Sequence, residues 1–136
     1  MTVVDASVVV AALLEDGPLA DWSQAQLEGE YLAAPHLLPA EVHHAVRRAE
    51  RRSQVDSTTA TLAIREFGSL TLYLFPLVPL GDRIWELRPS LTPYDAWYVA
   101  LAEALDCELV TLDGRLARSN GAKCPIVTPP DDIVRR

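Results

Sequence analysis

The chain has 136 residues, a net charge of −7 and an apolar content of 49%. That length suits one domain spanning 1–136, and that apolar fraction sustains a core, which excludes a disordered chain. No apolar run is long enough to cross a bilayer, and no basic region precedes the apolar N-terminal stretch, so neither a membrane span nor a signal peptide is expected. Cys107 and Cys124 lie far apart without CxxC spacing. They point to reduced thiols in the cytoplasm rather than to structural zinc. The acidic balance argues against a broadly basic nucleic-acid face. The cations are uneven, however: beside a single lysine, Lys123, there are eleven arginines, and Arg47, Arg48, Arg51 and Arg52 crowd together.

In chain order, Thr2-Val3-Val4 reads as a short buried strand ending at Asp5, followed by a helix over 6–14. Gly17-Pro18 breaks the chain before a second helix over 19–28. Residues 31–34 form a short strand candidate closed by Pro35. Pro39-Ala40-Glu41 opens a third helix, in which Leu38, Val42, Ala45, Val46 and Ala49 repeat as a buried stripe, with the arginines mostly opposite. A helix over 57–70 places Leu62, Ile64 and Phe67 in the core. The run 72–78 reads as a strand interrupted by Pro76, hence an edge, and 82–87 as a short helix. Thr92-Pro93-Tyr94-Asp95 is a strong helix start, with Tyr94, Tyr98, Leu101, Ala102 and Leu105 along one face. A strand over 108–111, an Asp113-Gly114 turn and a last strand at Ile126-Val127 complete the chain. Strands alternating with helices predict an α/β sandwich with a mainly parallel sheet.

Four acids occupy one kind of position in this pattern. Asp5 and Asp113 follow strands, while Glu41 and Asp95 begin helices. Each has an ordinary explanation: a cap for Asp5, a first-turn acid for Glu41, half a capping box for Asp95, a turn residue for Asp113. Together they would meet at the edge of a parallel sheet where ligands gather. Clustered carboxylates repel unless a hard cation such as Mg²⁺ or Mn²⁺ joins them, and such a centre suits phosphodiester hydrolysis. Glu28, Glu30, Glu50, Glu66 and Glu103 read instead as exposed helix acids.

Val4-Asp5-Ala6-Ser7, Pro39-Ala40-Glu41-Val42, the run from Thr92 to Ala102 and the run from Leu109 to Leu116 resemble, in order, the four acidic motifs of PIN-domain nucleases. Within that family the chain most resembles the VapC toxins of toxin–antitoxin pairs. The resemblance implies a PIN-like α/β/α sandwich and Mg²⁺- or Mn²⁺-dependent cleavage of structured RNA such as tRNA or rRNA, with one or two ions. It also implies a homodimer and a VapB-like antitoxin, through which operator DNA would be bound. Asp5, Glu41, Asp95 and Asp113 become the catalytic and metal-binding quartet. Ser7 and Thr111 match small hydroxyl positions beside it: Ser7 would hydrogen-bond a metal ligand or phosphate, and Thr111 would orient Asp113. Some relatives carry a further acid after the fourth, where this chain has Gly114, Arg115 and Leu116. Arg115 would then meet a substrate phosphate or an antitoxin carboxylate.

Other readings fit less well. Phosphoryl transfer through an aspartyl phosphate would need a second acid two residues after Asp5, where Ser7 stands, or a paired acid near the start with a late lysine. Ser7 has no positioned histidine to make it a nucleophile. His43 and His44 lack HExxH spacing, and hard cations prefer oxygen. Trp22, Trp85, Tyr94, Trp97 and Tyr98 read mostly as core or dimer contacts rather than base-stacking platforms. The remaining alternative is a catalytically silent PIN-like module that binds a partner or acts as a co-repressor.

Overall fold

The computed structural model describes residues 1–29 and 31–134. Glu30 therefore lies outside the described residues. Five short strands, β1 (Thr2–Val4), β2 (Leu32–Pro35), β3 (Tyr73–Phe75), β4 (Leu109–Val110) and β5 (Ile126–Val127), form one parallel sheet in the order β3-β2-β1-β4-β5. Val3 pairs with Ala33 on one side and Leu109 on the other, and Leu109 pairs with Ile126. Parallel neighbours require crossovers, and helical crossovers cover both faces of a sheet. The inner strands accordingly show no polar alternation: Val3, Val4, Ala33, Ala34, Leu109 and Val110 are all fully buried.

The helices are α1 (Ala6–Leu14), α2 (Pro18–Leu27), α3 (Leu38–Arg51), α4 (Ser57–Gly68), α5 (Gly81–Glu86), α6 (Pro93–Ala104), α7 (Gly114–Ala117) and α8 (Asp131–Val134). Helices α1 to α4 pack on one another, whereas α6 lies across β1, β2 and β4, so the sheet is sandwiched in an α/β/α arrangement. Strands β1, β2 and β3 extend the sheet in one direction, and β4 returns to the opposite side of β1. At such a reversal the crossovers diverge and leave a crevice at the carboxyl ends of the central strands. Asp5 follows β1 and Asp113 follows β4, on either side of that crevice.

Several local expectations are corrected. Leu62 is 55% exposed, because α4 turns Ala60, Ala63 and Phe67 inward and leaves Leu62 off that stripe. Tyr94 is also exposed, whereas Tyr98, Leu101 and Ala102 of α6 are buried. The edge strand is shorter than 72–78: it ends at Phe75, and a 3₁₀ turn over Val78–Leu80 follows Pro76. Asp113-Gly114 is not a simple turn, since Asp113 caps the one-turn helix α7. Glu103 is no free surface acid: Arg83 bonds it at 2.7 Å and the Lys123 amide donates to it at 2.7 Å. Trp85 and Tyr94 stand out in solvent rather than in the core, with Arg88 stacked over the Trp85 ring.

Candidate active site

Asp5 begins α1 in an extended backbone conformation, yet its side chain makes no capping hydrogen bond. Its carboxylate is engaged from elsewhere. Ser7 Oγ donates to Asp5 Oδ2 at 2.8 Å, and Thr111 Oγ1 donates to the same oxygen at 2.7 Å. Both hydroxyls are themselves oriented by backbone donors: Leu112 N–H donates to Ser7 Oγ and Asp113 N–H to Thr111 Oγ1. A continuous relay thus runs from the chain after β4, through two hydroxyls, to one oxygen of Asp5. The other oxygen, Oδ1, makes no hydrogen bond within the described residues.

Glu41 lies in the first turn of α3, and Tyr98 Oη of α6 donates to its Oε1 at 2.6 Å. Burial raises the Glu41 carboxyl above its ordinary range, the Tyr98 bond draws it down, and the charges of Asp5 and Asp95 push it further up. Asp95 sits in the first turn of α6, where Thr92 Oγ1 caps the helix by accepting from its N–H. Its carboxyl is also raised, first by burial and then by the charges of Asp5 and Asp113, with Arg115 and Thr92 opposing. Asp113 is held low. Burial acts to raise it, but hydrogen bonds and charge from Arg115 outweigh that effect. Arg115 Nη2 lies 3.3 Å from Asp113 Oδ2, and its backbone N–H donates to Asp113 Oδ1.

The sheet edge therefore links the four acids through charge: Asp95 feels Asp5 and Asp113, and Glu41 feels Asp5 and Asp95. It places Ser7 and Thr111 on Asp5, and Arg115 on Asp113. Arg47, Arg48, Arg51 and Arg52 are exposed along α3 and make no ion pair among the described residues. His43 Nδ1–H donates to the Pro39 carbonyl at 2.7 Å, one turn back in the same helix.

The donor set fits a hard divalent cation. It is all oxygen, half-buried, and more negative than its one guanidinium can balance. Among the described residues no three acidic, histidine or cysteine side chains converge closely enough to enclose one ion. Mg²⁺ does not need such a cage, since it keeps several waters and takes one or two carboxylates directly. Like-charged carboxylates also splay apart unless a cation draws them together.

Residues 2–121 match the PIN domain family model. A VapC ribonuclease of Mycobacterium bovis, Mb0985, is 42% identical over 130 residues, covering 96% of this chain and 99% of that protein. The chain belongs to the PIN-domain family, among the VapC ribonucleases. The crystal structure of PAE2754 from Pyrobaculum aerophilum superposes with a TM-score of 0.70 at 28% identity, over 98% of this chain and 87% of that one. VapBC2 from Rickettsia felis, solved bound to a DNA fragment from its promoter, shares the fold with a TM-score of 0.66 at 15% identity, over 93% and 97% of the two chains.

In this VapC-family chain one site residue escaped the sequence reading. Tyr98 reads there as a core or dimer contact, and it is fully buried, but its hydroxyl carries the bond to Glu41. The available signal was its spacing. Tyr98 lies three residues after Asp95, one helical turn on, so it shares the face of α6 that Asp95 turns toward the crevice.

Proposed function

We propose that the chain is a metal-dependent endoribonuclease toxin that hydrolyses phosphodiesters in structured RNA of the tRNA or rRNA class. The observation that carries this reading is the anchoring of Asp5. Two hydroxyls and two backbone amides fix one carboxylate oxygen while the second remains available. Such an arrangement has no use as a helix cap, and it suits a ligand that must present a single oxygen outward.

Asp5, Glu41, Asp95 and Asp113 would hold one or two Mg²⁺ or Mn²⁺ ions. When bound, such a cation supplies charge stabilisation at a phosphoryl oxygen and lowers the pKa of water. The chain's own groups do the rest. Ser7 and Thr111 lock the direction of Asp5, and Tyr98 locks that of Glu41. The raised carboxyls of Glu41 and Asp95 reflect burial and crowded negative charge, which a bound cation would relieve. Arg115, exposed and paired among the described residues with Asp113 alone, is placed to swing onto a phosphate oxygen. No side chain is needed as a covalent nucleophile.

The kinship with VapC proteins supports a VapB-like antitoxin as the inhibitory partner, with operator DNA reached through it, and a homodimer as the working unit. No helix among the described residues is long and apolar enough to cross a membrane. The test is cleavage of total cellular RNA with Mg²⁺, Mn²⁺ or EDTA. Discrete fragments that need metal and vanish in Asp5→Asn are expected. Cleavage that survives EDTA, or persists in Asp5→Asn, would overturn the assignment.

A further inference from the structure

An open groove of about 360 Å³ leaves the acidic crevice between α1 and α3. Ser7, Leu112 and Glu41 stand at its mouth, Val10 and Ala11 of α1 form one wall, and Ala45 of α3 forms the other. The stripe of α3 that carries Glu41 and Ala45 does not end there. At 3.6 residues per turn, Arg48 and Arg52 fall within about 20° of Glu41 around the helix, whereas Arg47 falls about 120° away. Arg47 indeed lines a different groove, between α3 and α4, with His43, Glu50 and Ile64. The crowded arginines thus divide. Arg47 faces the α4 side, Arg51 falls about 80° from Glu41, and Arg48 and Arg52 continue the line of the acids.

The axial rise puts Arg48 about 10 Å and Arg52 about 16 Å from Glu41, which is about three and five nucleotides of a stacked strand. Cα–Cβ bonds on a helix tilt toward its N-terminus, so both arginines leave the helix backbone tilted toward the end that carries Glu41. Each wall carries one acid, Glu41 of α3 at the mouth and Glu15 at the end of α1. Beyond Glu41 the α3 side turns positive at Arg48 and Arg52, while the α1 side stays negative. A phosphate chain is therefore repelled from α1 and attracted along α3, with the apolar wall of Val10 and Ala11 left for sugar and base. Among the described residues neither Arg48 nor Arg52 takes part in an ion pair that would neutralise it.

We infer that Arg48 and Arg52 form a phosphate track that holds the RNA strand flanking the cleaved bond along α3. The inference rests on the ribonuclease reading for the identity of the strand. It does not depend on catalysis for its test.

The experiment uses the full chain carrying Asp95→Asn, which spares the RNA, with Mg²⁺ present. Binding of a short fluorescent single-stranded RNA of mixed sequence is followed by anisotropy across a salt series. Adding Arg48→Ala with Arg52→Ala should weaken binding about tenfold and reduce the salt slope by about 1.4, the share of two phosphate contacts on a single strand. Arg47→Ala, on the other face of the same helix, should stay within about twofold of the parent. Equal loss from Arg47→Ala, no loss from the double variant, or no RNA binding by the parent would each overturn the track. So would unchanged RNA binding with lost affinity for an acidic antitoxin peptide, which would assign the arginines to a protein partner. The wild-type chain is assayed for cleavage of total cellular RNA in parallel. Arginine-dependent binding with no cleavage anywhere in that pool would sink the nuclease reading and leave the track standing.

Discussion

A carboxylate that must offer one oxygen to a ligand is best held by the other, and Asp5 and Glu41 are both held that way. For Glu41 the holding group is a single phenol in the core, which makes Tyr98→Phe informative. The ring still fills its space, so the stability cost should be about 1 kcal/mol, the net worth of one hydrogen bond. Mn²⁺ affinity, read by calorimetry, should fall about tenfold, as when outer-shell partners of metal ligands are removed. Unchanged affinity would mean that the bond serves packing alone. Asp95 gives the opposite kind of prediction. Its carboxyl is raised by burial and by neighbouring charge, so ionisation there is a strain on the folded chain. Asp95→Asn should leave the metal-free protein as stable as wild type or more so in thermal melts, while cleavage is lost. A large drop in melting temperature would show instead that Asp95 is a structural group.

Among the elements, α5, α6 and the segment entering β5 are joined at one point. Arg83 makes two bonds to Glu103 and a third to the Gly121 carbonyl, and the Lys123 amide completes the Glu103 carboxylate. Arg83→Ala should cost about 1–3 kcal/mol, the scale of a charge-assisted bond and its orphaned partner. Burial acts to raise Glu103, but the bonds and charge of Arg83 outweigh it and hold the carboxyl below its ordinary range. The folded state therefore binds the proton less readily than the unfolded one. The stabilisation is present above the ordinary carboxylate pKa and is lost as pH falls through the lowered value. Denaturation curves of wild type and Glu103→Gln should converge at acid pH and separate above it; parallel curves would contradict this.

Most of these elements were legible in the sequence because local rules and tertiary packing agreed. Thr92 caps α6 as its Thr-Pro start predicts, and the apolar runs at Val3, Ala33 and Leu109 became the buried strands. The failures are places where a long-range partner decided. No local signal marks Glu103 for Arg83, twenty residues away, and the spacing of Tyr98 from Asp95 places it on the crevice face without naming Glu41 as its partner. Leu62 departs for a simpler reason: it is apolar, but its helical phase points away from the Ala60–Phe67 stripe. The acids were visible as a set through their common strand-end or helix-start positions. Which hydroxyl would serve which oxygen was not visible.

At the scale of the whole molecule, the strand order carries the site. Because β4 returns to the far side of β1, Asp5 and Asp113 flank one crevice, and α3 and α6 bring Glu41 and Asp95 to it. This concentrates negative charge at one edge, and the fold bears that cost through Glu41 and Asp95. Their folded-state carboxyls are raised, so the metal-free protein should lose stability as pH climbs from the ordinary carboxylate range through the raised values. Mg²⁺ should restore it by binding the folded state alone, raising the melting temperature more at neutral than at acid pH. A metal-induced shift that is the same at both would argue against the acids as its origin.

The most direct test follows Mn²⁺ occupancy and RNA cleavage in the same titration, for wild type and Asp5→Asn. Rate and occupancy are predicted to rise together in wild type and both to collapse in the variant. Cleavage at zero occupancy, or an Asp5→Asn protein that binds and cuts as wild type does, would contradict a metal-dependent nuclease centred on these four acids.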